Sequence, residues 1–453
     1  MSQVDNQQTA KSNSPRIHKR FHSGHAPLIG KKKSSSSVFL PKIFRSFSSE
    51  EKTQEKKQKL RSKSEPNKLK STDILKNEPL QICKIPTCDY MLDLTNLDDG
   101  PELRKKILYL AHTLLDWRDI VDESQIHLES VSGALTNRVF FVTASPNHRH
   151  FSAMQKKPRK VVLRVYGIGV DQLFERKKEL EFLQMLSTLK IGPSLLGIFQ
   201  NGRFEQYLDS STLTRDDLRN IETSSHIAQR MATLHNIVNI FSPPKDTVPQ
   251  VWVNIDKWYP LAVKVVSGPE FKNDPIRSKR LELFDMERLY VEIQALKEKL
   301  NSLNSPLVFA HNDTQYGNIL RLNDGSSELV VVDFEYAGYN FRGFDIANHF
   351  CEWLYNYHSP DPHIPHTDWY PSKEEQLNFL SSYVETEKIL SVGASSLFDD
   401  RNLEVRRQEC EAFALASHVM WGLWGLVQAA HSQIKFDYFE FGMLRLEQFR
   451  LNK

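Results

Sequence analysis

Cysteine is scarce in this 453-residue chain, and its four copies are scattered. Cys83, Cys88, Cys351 and Cys410 are too few and too far apart for a disulfide framework. The close pair at 83 and 88 lacks the second half of a zinc site. We therefore exclude a disulfide-rich class and expect free thiols.

Long apolar runs are also scarce. No apolar signal-peptide core follows the first residues, which predicts an intracellular, cytoplasmic protein. The longest run, residues 412–430, is long enough to cross a bilayer, but Ser417, His418 and Gln428 interrupt it and its flanks carry no positive asymmetry. A buried core helix explains it better, so we expect no stable membrane insertion.

Acidic residues are few near the start of the chain. Residues 1–75 hold 17 Lys and Arg against 6 Asp and Glu, a net charge of +11, whereas the remainder holds 42 against 50, a net charge of −8. The overall +3 therefore hides a basic tail on an acidic body. Because this tail has few aromatic residues and no sustained apolar period, residues 1–78 are predicted to be disordered.

The tail contains three Arg-x-x-Ser patterns, which end at Ser23, Ser48 and Ser64. Phosphorylation by protein kinases would place dianions among Lys and Arg there. Such patterns are common by chance in Ser/Arg-rich segments, so a plain solubilising tail is the alternative. Interleaved aromatics and a clear amphipathic helix are missing, and we expect no nucleic-acid partner.

Periodic segments begin after residue 78. Residues 100–117 have helical spacing, and residues 126–144 hold two β-rich runs joined by a turn-forming stretch, which predicts a hairpin. "KVVLRVYG" predicts a third strand, and a helix that stops at Gly192-Pro193 precedes a fourth. "GRFEQYL" predicts a fifth strand, and the rest of the chain is mostly helical. We expect an α+β fold with a small β-rich N-lobe over 79–209 and a larger helical C-lobe over 210–453.

A candidate kinase motif lies in the C-terminal half. In "AHNDTQYGNIL", residues 310–320, four residues separate Asp313 from Asn318, and Asp333 ends the apolar strand "LVVVDF". Phosphoryl transfer to an alcohol needs one carboxylate near the acceptor hydroxyl, plus an amide and a second carboxylate that hold Mg²⁺ on nucleotide phosphates. Taken singly, an Asp in a turn and an Asp that ends a strand are more common as structural residues. Together, the spacing indicates a kinase site.

The chain resembles the choline/ethanolamine kinase family, a branch of the protein-kinase-like fold. The resemblance rests on "HNDTQYGNIL", "VVDFEYAGYNFRGFDIANHFCEW" and "ALASHVMWGLWGLVQA", and it covers roughly residues 95–450. It implies a protein-kinase-like two-lobe fold and the cofactors ATP and Mg²⁺. By this resemblance Asp313 is the catalytic base and Gln315 lies near the transferred phosphate. Asn318 and Asp333 match the Mg²⁺ ligands.

In the small lobe the resemblance implies a nucleotide site. "SGALTNRVF" stands where the family has its phosphate loop, with Ser132 in place of a usual glycine, which leaves the loop's backbone shape open. Arg164 matches the family's contact to the α- and β-phosphates, and Glu179 should be its orienting partner, although a solvated helix side is the alternative for that acid. "EQYL" resembles the hinge that holds adenine. The residues expected to bind ATP are Ser132, Gly133, Thr136, Asn137, Arg164, Glu179, Gln206 and Leu208.

The acceptor site is expected in the large lobe. Trp421 and Trp424 are three residues apart and share a helix face. With Tyr357 and Phe441, which match the family's acceptor pocket, they would form an aromatic cage for a quaternary ammonium. Without the resemblance, two Trp residues on a buried helix are ordinary core. Glu352 is expected either to add negative potential near the cation or to be a structural acid bonded to backbone.

A fold-stabilising ion pair between Arg342 and Asp345 is also expected behind the metal loop. Homodimers are common in the family, so the resemblance implies a homodimer as well.

The resemblance thus implies a kinase that phosphorylates choline, with ethanolamine as a second candidate substrate, at the entry to phosphatidylcholine synthesis by the CDP-choline route. An ethanolamine kinase would share every catalytic residue and stays an alternative. A kinase acting on aminoglycosides or sugars would want an acidic, roomy pocket, against which the Trp pair argues. An inactive kinase-like binding module would lack a catalytic residue, yet all are present.

Overall fold

The structure is a computed structural model that describes residues 84–94, 100–131, 137–145, 158–166, 176–390, 402–432 and 434–453. All of them belong to one compact unit, Glu78–Lys453. The predicted tail, with Ser23, Ser48 and Ser64, lies outside the described residues.

The small lobe is built on an antiparallel five-stranded sheet in the order β1-β2-β3-β5-β4. The strands are β1 (Ile126–Val131), β2 (Asn137–Ala144), β3 (Lys160–Tyr166), β4 (Leu195–Phe199) and β5 (Gly202–Gln206). The hairpin prediction is confirmed, since β1 and β2 pair with Ile126 opposite Ala144. Val161, Leu163 and Val165 of β3 are buried on one face. Because successive strand residues alternate, Arg164 points to the other face.

Helix α1 (Pro101–Leu114) packs on this sheet. Its predicted stripe is confirmed, because Leu103, Ile107, Leu110 and Leu114 are all buried in one core with Phe140 and Leu163. The period of 3.6 residues places these side chains on one face of the helix.

The segment 84–94 runs along β4 at the edge of the sheet. The Cys88 N–H donates to the Ile198 carbonyl at 3.0 Å, and the Ile198 N–H donates to the Pro86 carbonyl at 2.9 Å. The Leu92 N–H donates to Asn201 Oδ1 at 2.9 Å, and the Leu92 side chain is buried. This edge strand is therefore covered by chain that precedes the first helix.

Helix α2 (Arg176–Leu189) crosses between the two lobes. Leu183 and Leu186 belong to a core that includes Phe309 and Phe334 of the large lobe. After the helix, Gly192 has φ +72°, and a Cβ there would lie 2.9 Å from the Phe334 ring. Glycine is therefore required at this turn, as its predicted role as a helix stop suggests.

The large lobe is mainly helical. Its helices are α3 (Ile221–His235), α4 (Gln250–Val266), α5 (Pro269–Lys272), α6 (Pro275–Phe284), α7 (Met286–Asn301), α8 (Arg342–Glu352), α9 (Lys373–Leu390), α10 (Leu403–His431) and α11 (Tyr438–Leu451). Its strands are β6 (Ser210–Thr212), β7 (Leu307–Ala310), β8 (Ile319–Leu322), β9 (Leu329–Val331) and β10 (Gly338–Phe341). They form the sheets β6-β8-β9 and β10-β7, and the loops between them carry residues 311–318 and 332–337. The predicted α+β two-lobe architecture is confirmed.

Among the described helices, α10 alone is long and apolar enough to cross a membrane by length and composition. However, 83% of its apolar window is buried within the protein. The interpretation of residues 412–430 as a buried core helix is confirmed.

Helices α10 and α11 cross closely at glycines. A Cβ on Gly425 would lie 2.8 Å from the Gly442 Cα, and one on Gly422 would lie 2.6 Å from Leu446 Cγ. These glycines let the two backbones approach and bring the Trp421–Trp424 face near Phe441.

Candidate active site

The loop between β7 and β8 brings three predicted residues together. Asn318 Nδ2 donates to both the carbonyl and the Oδ2 of Asp313, each at 2.9 Å. Gln315 Nε2 donates to Asn318 Oδ1 at 3.3 Å, and Gln315 Oε1 accepts from the Gly317 N–H at 2.6 Å. The amide of Asn318 thus holds the Asp313 carboxylate in place and turns its own oxygen toward Gln315.

Asp345 of α8 fixes the backbone before Asp313. Its carboxylate accepts from the N–H groups of His311 and Asn312 at 2.9 and 2.7 Å. Asn312 needs this support, because its φ of +66° is unusual for a residue other than glycine. Burial opposes ionisation of Asp345, but the hydrogen bond from His235 and the backbone donors outweigh burial and lower its pKa.

The predicted ion pair between Arg342 and Asp345 is wrong. Arg342 Nη2 pairs with Glu409 at 2.6 Å, and Asp345 pairs with His235 at 2.9 Å. The two residues are three positions apart on α8, but each side chain pairs with a residue of another helix. Both are nevertheless structural, as expected.

Asp333 lies two residues after the end of β9, in the left-handed backbone region, with φ +67° and ψ +68°. Its Oδ1 accepts from Arg164 Nη1 at 3.0 Å, across 169 positions of sequence. Arg164 belongs to the small lobe and Asp333 to the large lobe, so the pair spans the cleft between them.

Glu179 does not pair with Arg164, and this prediction is wrong. Besides Asp333, Arg164 contacts Glu205, with 3.7 Å between Nε and Oε1. Glu179 instead pairs with Arg203 at 2.8 Å, and Arg203 also binds Glu205 at 2.5 Å. Strand register brings a second arginine to this place: Arg203 of β5 lies directly opposite Arg164 of β3 and takes Glu179 of α2 as its partner.

Acids and arginines alternate in a network of ion pairs that we call the arginine relay. Its members, in order of contact, are Glu179, Arg203, Glu205 and Arg164. Burial opposes ionisation of Glu205, but Arg203 and Arg164 outweigh burial and hold its pKa below the ordinary value. Arg203 was not predicted. The sequence shows an Arg in the strand "GRFEQ", but its place opposite Arg164 is known only once this strand is paired with β3.

Like charges surround Asp313. Burial raises its pKa well above the ordinary value, and the carboxylates of Glu352, Asp333 and Glu335 raise it further. A cation placed here would relieve that repulsion. A group in a cleft whose pKa is shifted by burial and specific charges is a functional-site candidate.

Hard oxygen donors suit Mg²⁺, and Asn318 Oδ1 and the Asp333 carboxylate supply them. Within the described residues, no cluster of three or more His, Cys, Asp or Glu could hold a metal by itself. The donor set therefore fits an ion that takes most of its shell from nucleotide phosphates and water.

Of the remaining predicted nucleotide residues, the structure describes Asn137, Gln206 and Leu208. Ser132, Gly133 and Thr136 fall outside the described residues, and Asn137 opens β2 opposite Tyr166. Gln206 ends β5, where its N–H donates to the Ser194 carbonyl at 2.8 Å, and Leu208 follows.

The predicted acceptor residues form one aromatic cluster. Trp421 and Trp424 pack edge to face with centroids 5.3 Å apart, and Trp424 lies 6.1 Å from Phe441. Tyr355 links Phe441 at 5.4 Å to Tyr357 at 5.8 Å. The structure thus brings all four predicted rings into one cluster.

Tyr336, missed by the sequence analysis, joins this cluster to the catalytic loop. Its ring lies 5.0 Å from Trp421, and its carbonyl accepts from Asn312 Nδ2 at 2.8 Å. The sequence could have indicated this residue, because Tyr336 is an aromatic residue only three positions after the predicted metal ligand Asp333.

Glu352 is buried, and its partners are side chains rather than backbone. It forms an ion pair with Arg445 and accepts from the Tyr357 hydroxyl at 2.6 Å. Arg445 was also missed, although an Arg within the apolar helix "YFEFGMLRL" is unusual enough to indicate a buried partner.

A two-lobe fold with a hydrogen-bonded Asp–Asn loop, a second acid after the next strand and a small-lobe Arg facing it defines a protein-kinase-like phosphotransferase. The comparisons specify the class further. The choline/ethanolamine kinase family model matches residues 128–450, and the chain belongs to this family.

Three relatives illustrate the match. The chain is 33% identical over 358 residues to "Probable choline kinase 1" of Arabidopsis thaliana, covering 78% of this chain and 94% of the relative. It is 35% identical over 353 residues to the human "Choline/ethanolamine kinase", covering 73% of this chain and 81% of the relative. The crystal structure of a choline kinase from Cryptosporidium parvum superposes with a TM-score of 0.61 at 26% identity, covering 77% of this chain and 94% of that one.

Proposed function

We propose that this kinase transfers the γ-phosphoryl group of ATP to the hydroxyl group of choline, with ethanolamine as a second substrate. The observation that carries the proposal is the junction at Tyr336, where the Asp313 loop meets the aromatic cluster. A hydroxyl three bonds from a trimethylammonium could lie near the carboxylate while its cation contacts the rings.

Each polar residue then has a role. Asp313 accepts the proton of the acceptor hydroxyl, and Asn318 orients it. Mg²⁺, held by Asn318 and Asp333, would neutralise charge on the phosphate oxygens. Arg164 would bind phosphate, because a guanidinium can contact two oxygens at once. Catalysis would rest on positioning and electrostatics, without a covalent intermediate.

Several finer points belong to the same proposal. We place the enzyme in the cytoplasm, as a homodimer, at the first step of the CDP-choline route. We keep the lobe boundaries at 79–209 and 210–453. Protein kinases acting on Ser23, Ser48 and Ser64 remain a separate expectation.

Replacing Asp313 by Ala tests the assignment. We expect turnover of choline to be lost, because the variant lacks the carboxylate that accepts the hydroxyl proton, while ATP binding is retained. Turnover is measured by coupled ADP release and binding by isothermal titration calorimetry. Asp324→Ala, at an exposed turn, is the control and should behave as wild type. Near-normal turnover by Asp313→Ala would contradict the proposal.

A further inference from the structure

Buried Arg445, buried Glu352 and partly buried Tyr357 form a hydrogen-bonded chain next to the aromatic cluster. Arg445 is 0% exposed and pairs through Nη2 with Glu352 Oε1, while the Tyr357 hydroxyl donates to Glu352 Oε2 at 2.6 Å. The Arg445 guanidinium also lies 4.4 Å from the centroid of Tyr355 and 5.2 Å from that of Phe441. Both oxygens of the acid are thus occupied by protein donors.

Glu352 is the carboxylate that a bound ammonium would be expected to seek, yet it is closed to one. A carboxylate oxygen keeps a second lone pair, but the Glu352 side chain is only 3% exposed, so little space is left for a further donor. Its charge is also compensated by Arg445. The cluster therefore offers a cation mainly ring faces.

Ring faces suit the two possible acceptors differently. A trimethylammonium makes no hydrogen bonds and loses none when it enters an aromatic cage. A primary ammonium has three N–H donors, and each donor left without an acceptor in a dry site reduces affinity. Whether a carboxylate oxygen is available should therefore decide between them.

We infer that the Arg445–Glu352–Tyr357 chain sets the preference for a quaternary over a primary ammonium by keeping both oxygens of Glu352 occupied. Tyr357 is the residue that determines this specificity, because it contributes a ring to the cluster and closes Oε2 with its hydroxyl. This inference rests on the proposed function, and it concerns the ratio between choline and ethanolamine rather than the reaction.

Tyr357→Phe tests the inference, because it keeps the ring and removes only the donor to Glu352. The ring loses its hydrogen bond to Glu352, while the Tyr357 backbone N–H still donates to the Tyr316 hydroxyl at 2.6 Å. The ring can therefore turn aside on a fixed backbone and expose Oε2. We expect kcat/KM for ethanolamine relative to choline to rise about tenfold, the size of one charge-assisted hydrogen bond, mainly through a lower KM for ethanolamine.

Tyr259→Phe is the matched control. Tyr259 lies on α4, outside the aromatic cluster, and its hydroxyl donates to the Met286 carbonyl at 3.0 Å. The substrate ratio of this variant should equal that of wild type. Glu352→Gln added to Tyr357→Phe should cancel the gain, because the acceptor is then a neutral amide. Thermal unfolding of each variant shows whether it is folded.

The outcomes are distinct. A ratio that stays within twofold of wild type in Tyr357→Phe, or an equal loss for both amines, overturns the inference and leaves the proposed function standing. A wild-type protein that phosphorylates neither amine overturns the proposed function and the inference with it. A raised ratio that persists after Glu352→Gln assigns the effect to the ring and also overturns the inference.

Discussion

The charge around a single residue, Asp313, bears on the role proposed for it. Three carboxylates act on it, and among the residues that the structure describes Asn318 alone donates a hydrogen bond to its side chain. A base with a raised pKa is a stronger proton acceptor, but it is charged over a narrower pH range. The same environment that strengthens Asp313 therefore restricts the conditions under which it works.

The pH dependence of kcat/KM for choline should report this environment. Asp313 must be ionised to accept a proton, so activity should fall as the pH drops through its raised pKa. Glu335→Gln removes one of the carboxylates that raise this pKa and should move the acid limb to lower pH. The profile is measured for both proteins at saturating ATP.

Glu328→Gln provides the control for this shift. Glu328 pairs with Arg230 at a partly exposed position and is absent from the charges that act on Asp313. If Glu335→Gln and Glu328→Gln gave the same acid limb as wild type, the electrostatic account of Asp313 would be wrong.

Among single residues, the sequence allowed prediction of those site residues that lie close together along the chain. Asp313, Asn318 and Asp333 lie within 21 positions of one another in a recognisable order. The pairing of Glu179 with Arg203, 24 positions away, and of Glu352 with Arg445, 93 positions away, depends on tertiary packing, which no local spacing in the sequence indicates. The Glu179–Arg164 prediction failed for that reason.

Arg203 of strand β5 links two acids, Glu179 of α2 and Glu205 of β5. Arg203→Met would leave Glu179 and Glu205 without their shared cation in a buried setting. We expect a loss of about 3–5 kcal/mol in the free energy of unfolding. The KM for ATP should rise more than the KM for choline, because Glu205 contacts Arg164. Chemical denaturation and initial-rate kinetics measure both effects.

Arg203→Lys is the conservative comparison, since it keeps the charge but contacts the two acids less well. It should fall between wild type and Arg203→Met in both measurements. Equal KM values for ATP in all three proteins would show that the arginine relay stabilises the lobe without positioning Arg164.

The crossing of α10 and α11 makes a second prediction at the scale of elements. Gly425→Ala would place a Cβ against backbone atoms of Gly442 and Tyr438, within 2.9 Å. Backbone cannot move aside as a side chain can, so the helices must separate, at a cost of about 1–3 kcal/mol. Because Trp424 and Phe441 face each other across this crossing, the KM for choline should rise as well.

Gln408→Ala, at an exposed position on the same helix, serves as the reference and should change stability little. The midpoint of thermal unfolding compares the two variants. A Gly425→Ala protein as stable as Gln408→Ala would mean that the helices tolerate a wider spacing.

Elements were easier to predict than their arrangement. Alternation in "KVVLRVYG" and the leucine stripe of α1 are local signals that burial then enforces. The order β1-β2-β3-β5-β4, with β5 inserted next to β3, follows from tertiary pairing, and the bend where β4 shifts register near Gly197 has no counterpart in local pattern.

At the scale of the whole molecule, the catalytic unit should be separable from the residues that precede it. A protein that begins at Glu78 keeps the complete unit and should retain wild-type thermal stability and kcat/KM. A protein that begins at residue 100 loses Leu92 and the hydrogen bonds to β4. It should be destabilised by about 2 kcal/mol or more, since burial of one leucine alone contributes that amount.

Purified proteins of both lengths can be compared by thermal unfolding and choline turnover. Equal unfolding midpoints would mean that segment 84–94 contributes nothing to the sheet edge it covers. Loss of activity on deletion of residues 1–77 would assign the tail a role beyond solubility.

Arg164 and Asp333 form one ion pair across the cleft, with side chains that are 10% and 27% exposed. Charges in contact with water are screened by dissolved salt, but a pair with one buried end is screened much less. Arg164 is the buried end of this pair, so the contact that joins the two lobes here should change little with ionic strength.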